Sequence, residues 1–70
     1  MLKHENSYWQ GQANAQFSLA SMYKYGQGTQ QDYTEAFKWY TKAAEQGNAY
    51  SQCNLAYMYK YGQGTQQDYT

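Results

Sequence analysis

From Tyr33 onward the apolar residues fall at Tyr33, Ala36, Phe37, Tyr40, Ala43 and Ala44. These offsets of three, four and seven residues draw one stripe along a 3.6-residue helix. The pattern predicts a helix, termed helix B, that starts near Tyr33. Asp32 stands where a cap accepts from the first free backbone N–H groups. Glu35, three residues on, completes a capping-box spacing, and both acids suit the positive end of the helix dipole. Gly47 is placed to close helix B through a left-handed turn, and Asn48 to cap a following helix. So tight a turn makes the two helices antiparallel.

Sliding the chain against itself by 36 residues pairs Gln10–Thr34 with Gln46–Thr70, and 19 of the 25 pairs are identical. The stretch Met22–Thr34 recurs word for word at Met58–Thr70. A fixed period in the range of about 20–50 residues marks a solenoid whose stacked units share one elongated core. Helix A of the first unit is expected over about Ala13 to Tyr25, with Ala15, Leu19, Met22 and Tyr23 on its packing side. Its copy runs over about Ala49 to Tyr61, with Ser51, Leu55, Met58 and Tyr59. Gly26/Gly28 and Gly62/Gly64 end the A helices and turn the chain, since glycine adopts positive φ at little cost. A phosphate-cradling loop would instead need a preceding strand.

The fold class is therefore all-α, an α/α solenoid of antiparallel helical hairpins whose second repeat stops after its first helix. Residues 1–10 read as a degenerate N-terminal helix or cap, 11–46 as a complete repeat and 47–70 as a partial one.

Composition narrows the functions open to this fold. Five basic residues, all lysine, balance five acidic ones. They form no basic stripe that would release counterions from nucleic acid. No segment approaches the roughly 20 apolar residues of a membrane span, and the start lacks the apolar run of a secretory signal. The expectation is a cytoplasmic protein that binds neither nucleic acid nor membrane. One cysteine, Cys53, and one histidine, His4, cannot complete a four-ligand zinc set, and Cys53 has no internal disulfide partner. Glu35 and Glu45 lie ten residues apart, and Asp32 is used as a cap, so no paired carboxylates or nucleophile–base set is present. No enzyme, cofactor or metal is predicted.

The repeat resembles the Sel-one-like repeat family, relatives of the tetratricopeptide repeats. The resemblance rests on Ala15, Leu19, Tyr23, Gly26, Gly28, Asp32, Ala36, Trp39, Tyr40, Lys42, Ala43, Ala44, Glu45, Gln46 and Gly47 in the family's spacing, and on Leu55, Ala56, Tyr59, Gly62, Gly64 and Asp68 in the second unit. Ala20 and Thr29 replace the family's small Gly and Val. Tyr8 and Trp9 stand where a preceding helix B would carry Ala and Glu. The resemblance implies a right-handed superhelix that acts as a scaffold or adaptor, with helix A lining the concave surface. Trp39 is expected to pack between helix B and the next helix A. Certain cysteine-rich relatives are linked to β-lactam hydrolysis, but they carry paired cysteines in each repeat.

Five of the six differing pairs between the units lie in helix A: Asn14/Tyr50, Ala15/Ser51, Phe17/Cys53, Ser18/Asn54 and Ser21/Tyr57. Positions 14, 18 and 21 share one helix face, which Lys24 continues. In the second unit that face is Tyr50, Asn54, Tyr57 and Lys60. These eight residues form the candidate partner-binding surface for a protein, with Tyr50 and Tyr57 as anchors. Neutral drift after a duplication would give the same pattern. The end of the second unit is expected to be open, either because the chain is a non-functional or partial piece of a longer array, or because another copy covers the face bearing Leu55, Met58 and Tyr59.

Overall fold

The computed structural model describes residues 2–66, with side chains from residue 11 onward. The readings of His4, Tyr8, Trp9 and Asp68 as side chains fall outside these residues. Three helices follow one another: α1 (Leu2–Tyr25), α2 (Tyr33–Glu45) and α3 (Ala49–Tyr61). Among the described residues there is no strand. Helix B is α2, and the two A helices are the C-terminal part of α1 and all of α3.

The caps work as their residue types dictate, with one difference. Asp32 accepts from the Glu35 backbone N–H at 3.1 Å, and Asn48 accepts from the Ser51 N–H at 2.7 Å. The reciprocal half of the capping box is absent. The Asp32 N–H is already donated to the Tyr23 carbonyl at 2.8 Å, and the Glu35 carboxylate lies 3.8 Å from Lys38 instead. Gly47, at φ 92°, separates α2 from α3.

The equivalent place in the first unit behaves differently. Gly11 lies inside α1 without positive φ, and the helix runs unbroken from Leu2. Residues 2–10 are helical, yet no turn sets them apart as a hairpin partner. Gln12 stands where Asn48 caps α3, and its longer side chain is a poor N-cap, so nothing at this point favours restarting the helix.

Paired residues give the directions. Ser21 Oγ meets Tyr40 Oη at 2.8 Å and Gln16 accepts from Gln46 at 3.0 Å, so numbers rise on α1 as they fall on α2. Gln52 reaches the Ala44 carbonyl, and Phe37 meets Tyr59 edge-on at 5.3 Å, so α3 reverses again. α2 packs on both A helices, which run parallel to each other. The core is Ala20, Ala36, Tyr40 and Met58, each fully buried, with Phe17, Tyr23, Phe37, Trp39 and Leu55 packed around it. Trp39 is partly buried, and the Lys38 and Lys42 ammonium groups lie 5.4 and 5.7 Å from its ring centre.

The two A helices carry nearly the same sequence but bury opposite faces. α3 turns Ser51, Leu55 and Met58 toward α2, as expected from the repeat. α1 turns Ala13, Ala20 and Lys24 inward, and leaves Ala15 and Met22 exposed. Of the expected packing side of the first helix A, Tyr23 packs against the core and Leu19 is partly buried, whereas the expectation is corrected at Ala15 and Met22. In a stack, an A helix presents one face to the preceding helix B and another to its own. α1 packs on the helix B that follows it, and α3 on that same helix B, which precedes it.

The face expected to meet another copy is largely used within the chain: Met58 is fully buried and Leu55 partly so, while Tyr59 is 41% exposed and meets Phe37 edge-on. The exposed face of α3 instead carries Ala49, Gln52, Cys53, Ala56 and Lys60. These are the copies of Ala13, Gln16, Phe17, Ala20 and Lys24, the α1 residues turned toward α2 or α3.

The buried Tyr40 phenol makes alkaline stability a readable property. Burial pushes its pKa above the ordinary 10.0; the Ser21 hydrogen bond pulls it down in part, and nearby Tyr25 adds to the rise. With the folded value raised, the folded chain keeps this proton after the unfolded chain begins to lose it. Its contribution is complete below pH 10 and declines as pH climbs through the folded value. Urea midpoints measured from pH 8 to 11.5 should fall more steeply above pH 10 for the native chain than for Tyr40→Phe, whose baseline should be lower by about 0.5–1.5 kcal/mol for the lost hydrogen bond.

Candidate functional site

Because α1 and α3 run parallel on the same side of α2, their side chains meet along a seam. At its lower end, Asn48 donates to Asn14 Oδ1 at 3.3 Å, and Phe17 faces Tyr50 with ring centres 5.9 Å apart. A cleft of about 230 Å³ opens there, walled by Ala13 and Asn14 on one side and by Ala49 and Tyr50 on the other, with the 46–48 turn as its floor.

The upper end holds a larger cleft of about 570 Å³. Lys24 and Tyr25 of α1 form one wall, and Cys53, Asn54 and Tyr57 of α3 the other. Gln31 closes it from the first loop, Tyr33 from the start of α2, and Gln63 from the second loop. The loop is tied down locally: Gln31 donates to the Lys24 carbonyl at 2.8 Å, and the Asp32 N–H to that of Tyr23. Lys24 is only 7% exposed. Its ammonium donates to Asn54 Oδ1 at 3.1 Å and lies over the Tyr57 ring at 4.8 Å and the Tyr25 ring at 5.3 Å.

The eight residues singled out from the repeat comparison thus separate. Lys24, Asn54 and Tyr57 converge on the upper cleft, and Asn14 and Tyr50 on the lower one. Ser18 is exposed on α1 between them. Ser21 is half-buried and turned toward α2, where it bonds Tyr40, so it lies behind the surface rather than on it. Lys60 lies exposed beyond the seam, over the Tyr61 ring at 5.5 Å.

Sequence reasoning missed Gln31 and Gln63, which reach the cleft from loops, and Tyr33, which reaches it from the start of α2. Comparing the units hides them, because the loops are identical in both.

Tyrosine supplies much of the open apolar area: Tyr50 is 73% exposed and Tyr57 50%. Such rings combine contact area with a hydroxyl at low entropic cost, a surface suited to gripping a peptide or protein. Among the described residues no three or more His, Cys, Asp or Glu side chains gather as a metal site, and no helix is long and apolar enough to cross a membrane.

Comparison with curated proteins finds no match. The Sel1 repeat model matches residues 13–48 and again 49–70, most of the chain, and its boundary at Asn48–Ala49 coincides with the capped start of α3. Sel1 repeats are generally protein-interaction modules and typically non-catalytic. Two successive matches in the register of the 36-residue period, on a stack of antiparallel helices, place this chain in the Sel1 repeat family.

Proposed function

We propose that this chain is a protein-interaction scaffold that holds a segment of a partner protein along the seam between α1 and α3. The single observation that carries the reading is where the two units differ. The Gly-Gln-Gly loops are identical, and Asn14/Tyr50 and Ser18/Asn54, together with Cys53 in place of the core-packed Phe17 and Tyr57 in place of Ser21, line or flank the two clefts. The outward substitutions enrich the seam in tyrosine, the residue type most economical at binding surfaces.

Tyr50 and Tyr57 are exposed enough for their removal to leave the core intact. Tyr50→Ala together with Tyr57→Ala should reduce capture of partner proteins from the native cell at least tenfold, with the helical circular dichroism unchanged. Equal recovery of the same proteins by the native and doubly substituted chains would place the partner surface elsewhere.

A further inference from the structure

The upper cleft poses an electrostatic question that the scaffold reading leaves unanswered. An ammonium taken out of water is normally offset by an opposite charge. Lys24 is 7% exposed, yet its partners are neutral: the Asn54 amide oxygen and the faces of Tyr57 and Tyr25. Ring faces attract a cation and soften its desolvation but carry no net charge. The Lys38–Glu35 ion pair lies on α2, and neither residue lines this cleft.

This burial depends on the stacking of the two units. Lys60 occupies the same place in the second repeat and is exposed, because no further A helix lies beside it. The unpaired buried charge therefore arises where two A helices stand side by side, and it borders an open cleft of about 570 Å³. That volume falls within the roughly 300–1,000 Å³ typical of ligand clefts. Gln63, on the same cleft, has a buried side-chain oxygen that no described residue pairs. That oxygen accepts only from an N–H or O–H, so it offers a place for a peptide backbone amide rather than for the carboxylate.

We propose that this cleft takes an acidic side chain from a peptide segment of the partner, with the Lys24 ammonium as charge anchor and Tyr57 as the wall against which the peptide lies. The proposal rests on the seam being the interaction surface and adds the chemistry of what is recognised there. Charge complementarity favours the carboxylate. The Tyr57 and Tyr25 rings supply contact for the backbone and stem around it, and the lack of a broader basic surface disfavours a polyanion such as nucleic acid.

The test titrates the full chain, ¹⁵N-labelled, with an acetylated and amidated hexapeptide of alternating glutamate and glycine, and with its glutamine counterpart. Saturable amide shifts should centre on Lys24, Asn54 and Tyr57, and the glutamine peptide should bind at least tenfold more weakly. Lys24→Met should lose the discrimination. Since a substitution at a buried position can disturb folding, Cys53→Glu serves as the second variant. It lies on the exposed cleft wall, where a carboxylate competes with the peptide's, and it should weaken glutamate-peptide binding at least tenfold with the circular dichroism unchanged.

Unaltered binding to Cys53→Glu, or shifts centred on Lys38 and Lys42, would overturn the proposal. Equal binding of both peptides at Asn54 and Tyr57 would also overturn it while leaving the seam as an interaction surface. Failure of the scaffold reading itself would appear separately, as partner capture indifferent to Tyr50 and Tyr57.

Discussion

Met58→Ala should leave little folded chain at room temperature, whereas Met22→Ala should barely move the urea midpoint. The two methionines begin the same thirteen-residue stretch, so local sequence gives no ground for a difference. Packing does. Met58 is fully buried against Ala20, Ala36 and Tyr40, while Met22 is 38% exposed on the face of α1 turned away from α2. Truncating a buried methionine costs about 2–5 kcal/mol in lost transfer energy and cavity, whereas a surface change is usually within about 0.5 kcal/mol. A chain of this size has roughly 3–5 kcal/mol to lose, so the first variant should fall near or below the folding threshold. Equal midpoints for the two variants would mean that α1 and α3 bury the same face.

Gly64→Ala should be the second strongly destabilising change, and again its repeat copy gives the contrast. Gly28 and Gly64 both sit at positive φ, 75° and 72°, so either substitution incurs roughly 1–2 kcal/mol for the left-handed backbone. Their surroundings differ. A Cβ on Gly28 would approach only the mobile end of Met22, at 3.3 Å. One on Gly64 would overlap the Tyr33 carbonyl, which is backbone at the start of α2 and cannot step aside as a side chain can. The Gly64 variant must lift the second loop off α2, adding about 1–3 kcal/mol of overpacking and displacing Gln63 from the upper cleft. Urea unfolding of the two single variants should show Gly64→Ala with the lower midpoint. The reverse order would mean that the second loop does not rest on Tyr33.

What could be read from sequence depended on how many faces a helix buries. α2 packs its one apolar stripe between the two A helices, and its periodicity located its start at Tyr33 and its end before Gly47. Caps were legible for the same local reason: Asp32 and Asn48 are short acceptors at the first turn. The A helices resisted. Within a stack such a helix serves two neighbours, so packing residues run most of the way round and no single stripe stands out. Of the side predicted from Ala15, Leu19, Met22 and Tyr23, the copies Ser51, Leu55 and Met58 are covered in α3 while Tyr59 is 41% exposed. In α1, Tyr23 and Leu19 are partly covered while Ala15 and Met22 are exposed, because position in the stack decides which side is covered.

The seam was legible only in part. Asn14, Tyr50, Asn54 and Tyr57 were reached through the differences between units, and the structure sets them at the two clefts. Lys24 was assigned to the same candidate face as the exposed Asn14 and Ser18, yet it is buried. Its burial comes from α3 lying alongside, and a lysine identical in both units carries no local mark of that. Ser21, on the edge of its helix face, turns to meet the buried Tyr40 hydroxyl, a partner nineteen residues away that no local pattern announces. Gly11 shows the limit of a single turn signal. Without an asparagine after it, the helix continues through.

The account turns on the seam between α1 and α3 being the surface that holds a partner, and amide hydrogen exchange with a captured partner bound tests it most directly. Protection should increase at Asn14, Ser18 and Lys24 on α1 and across Tyr50–Tyr57 on α3, with the outer side of α2 around Lys38 and Lys42 unchanged. New protection confined to that side of α2, with the seam exchanging as in the free chain, would contradict it.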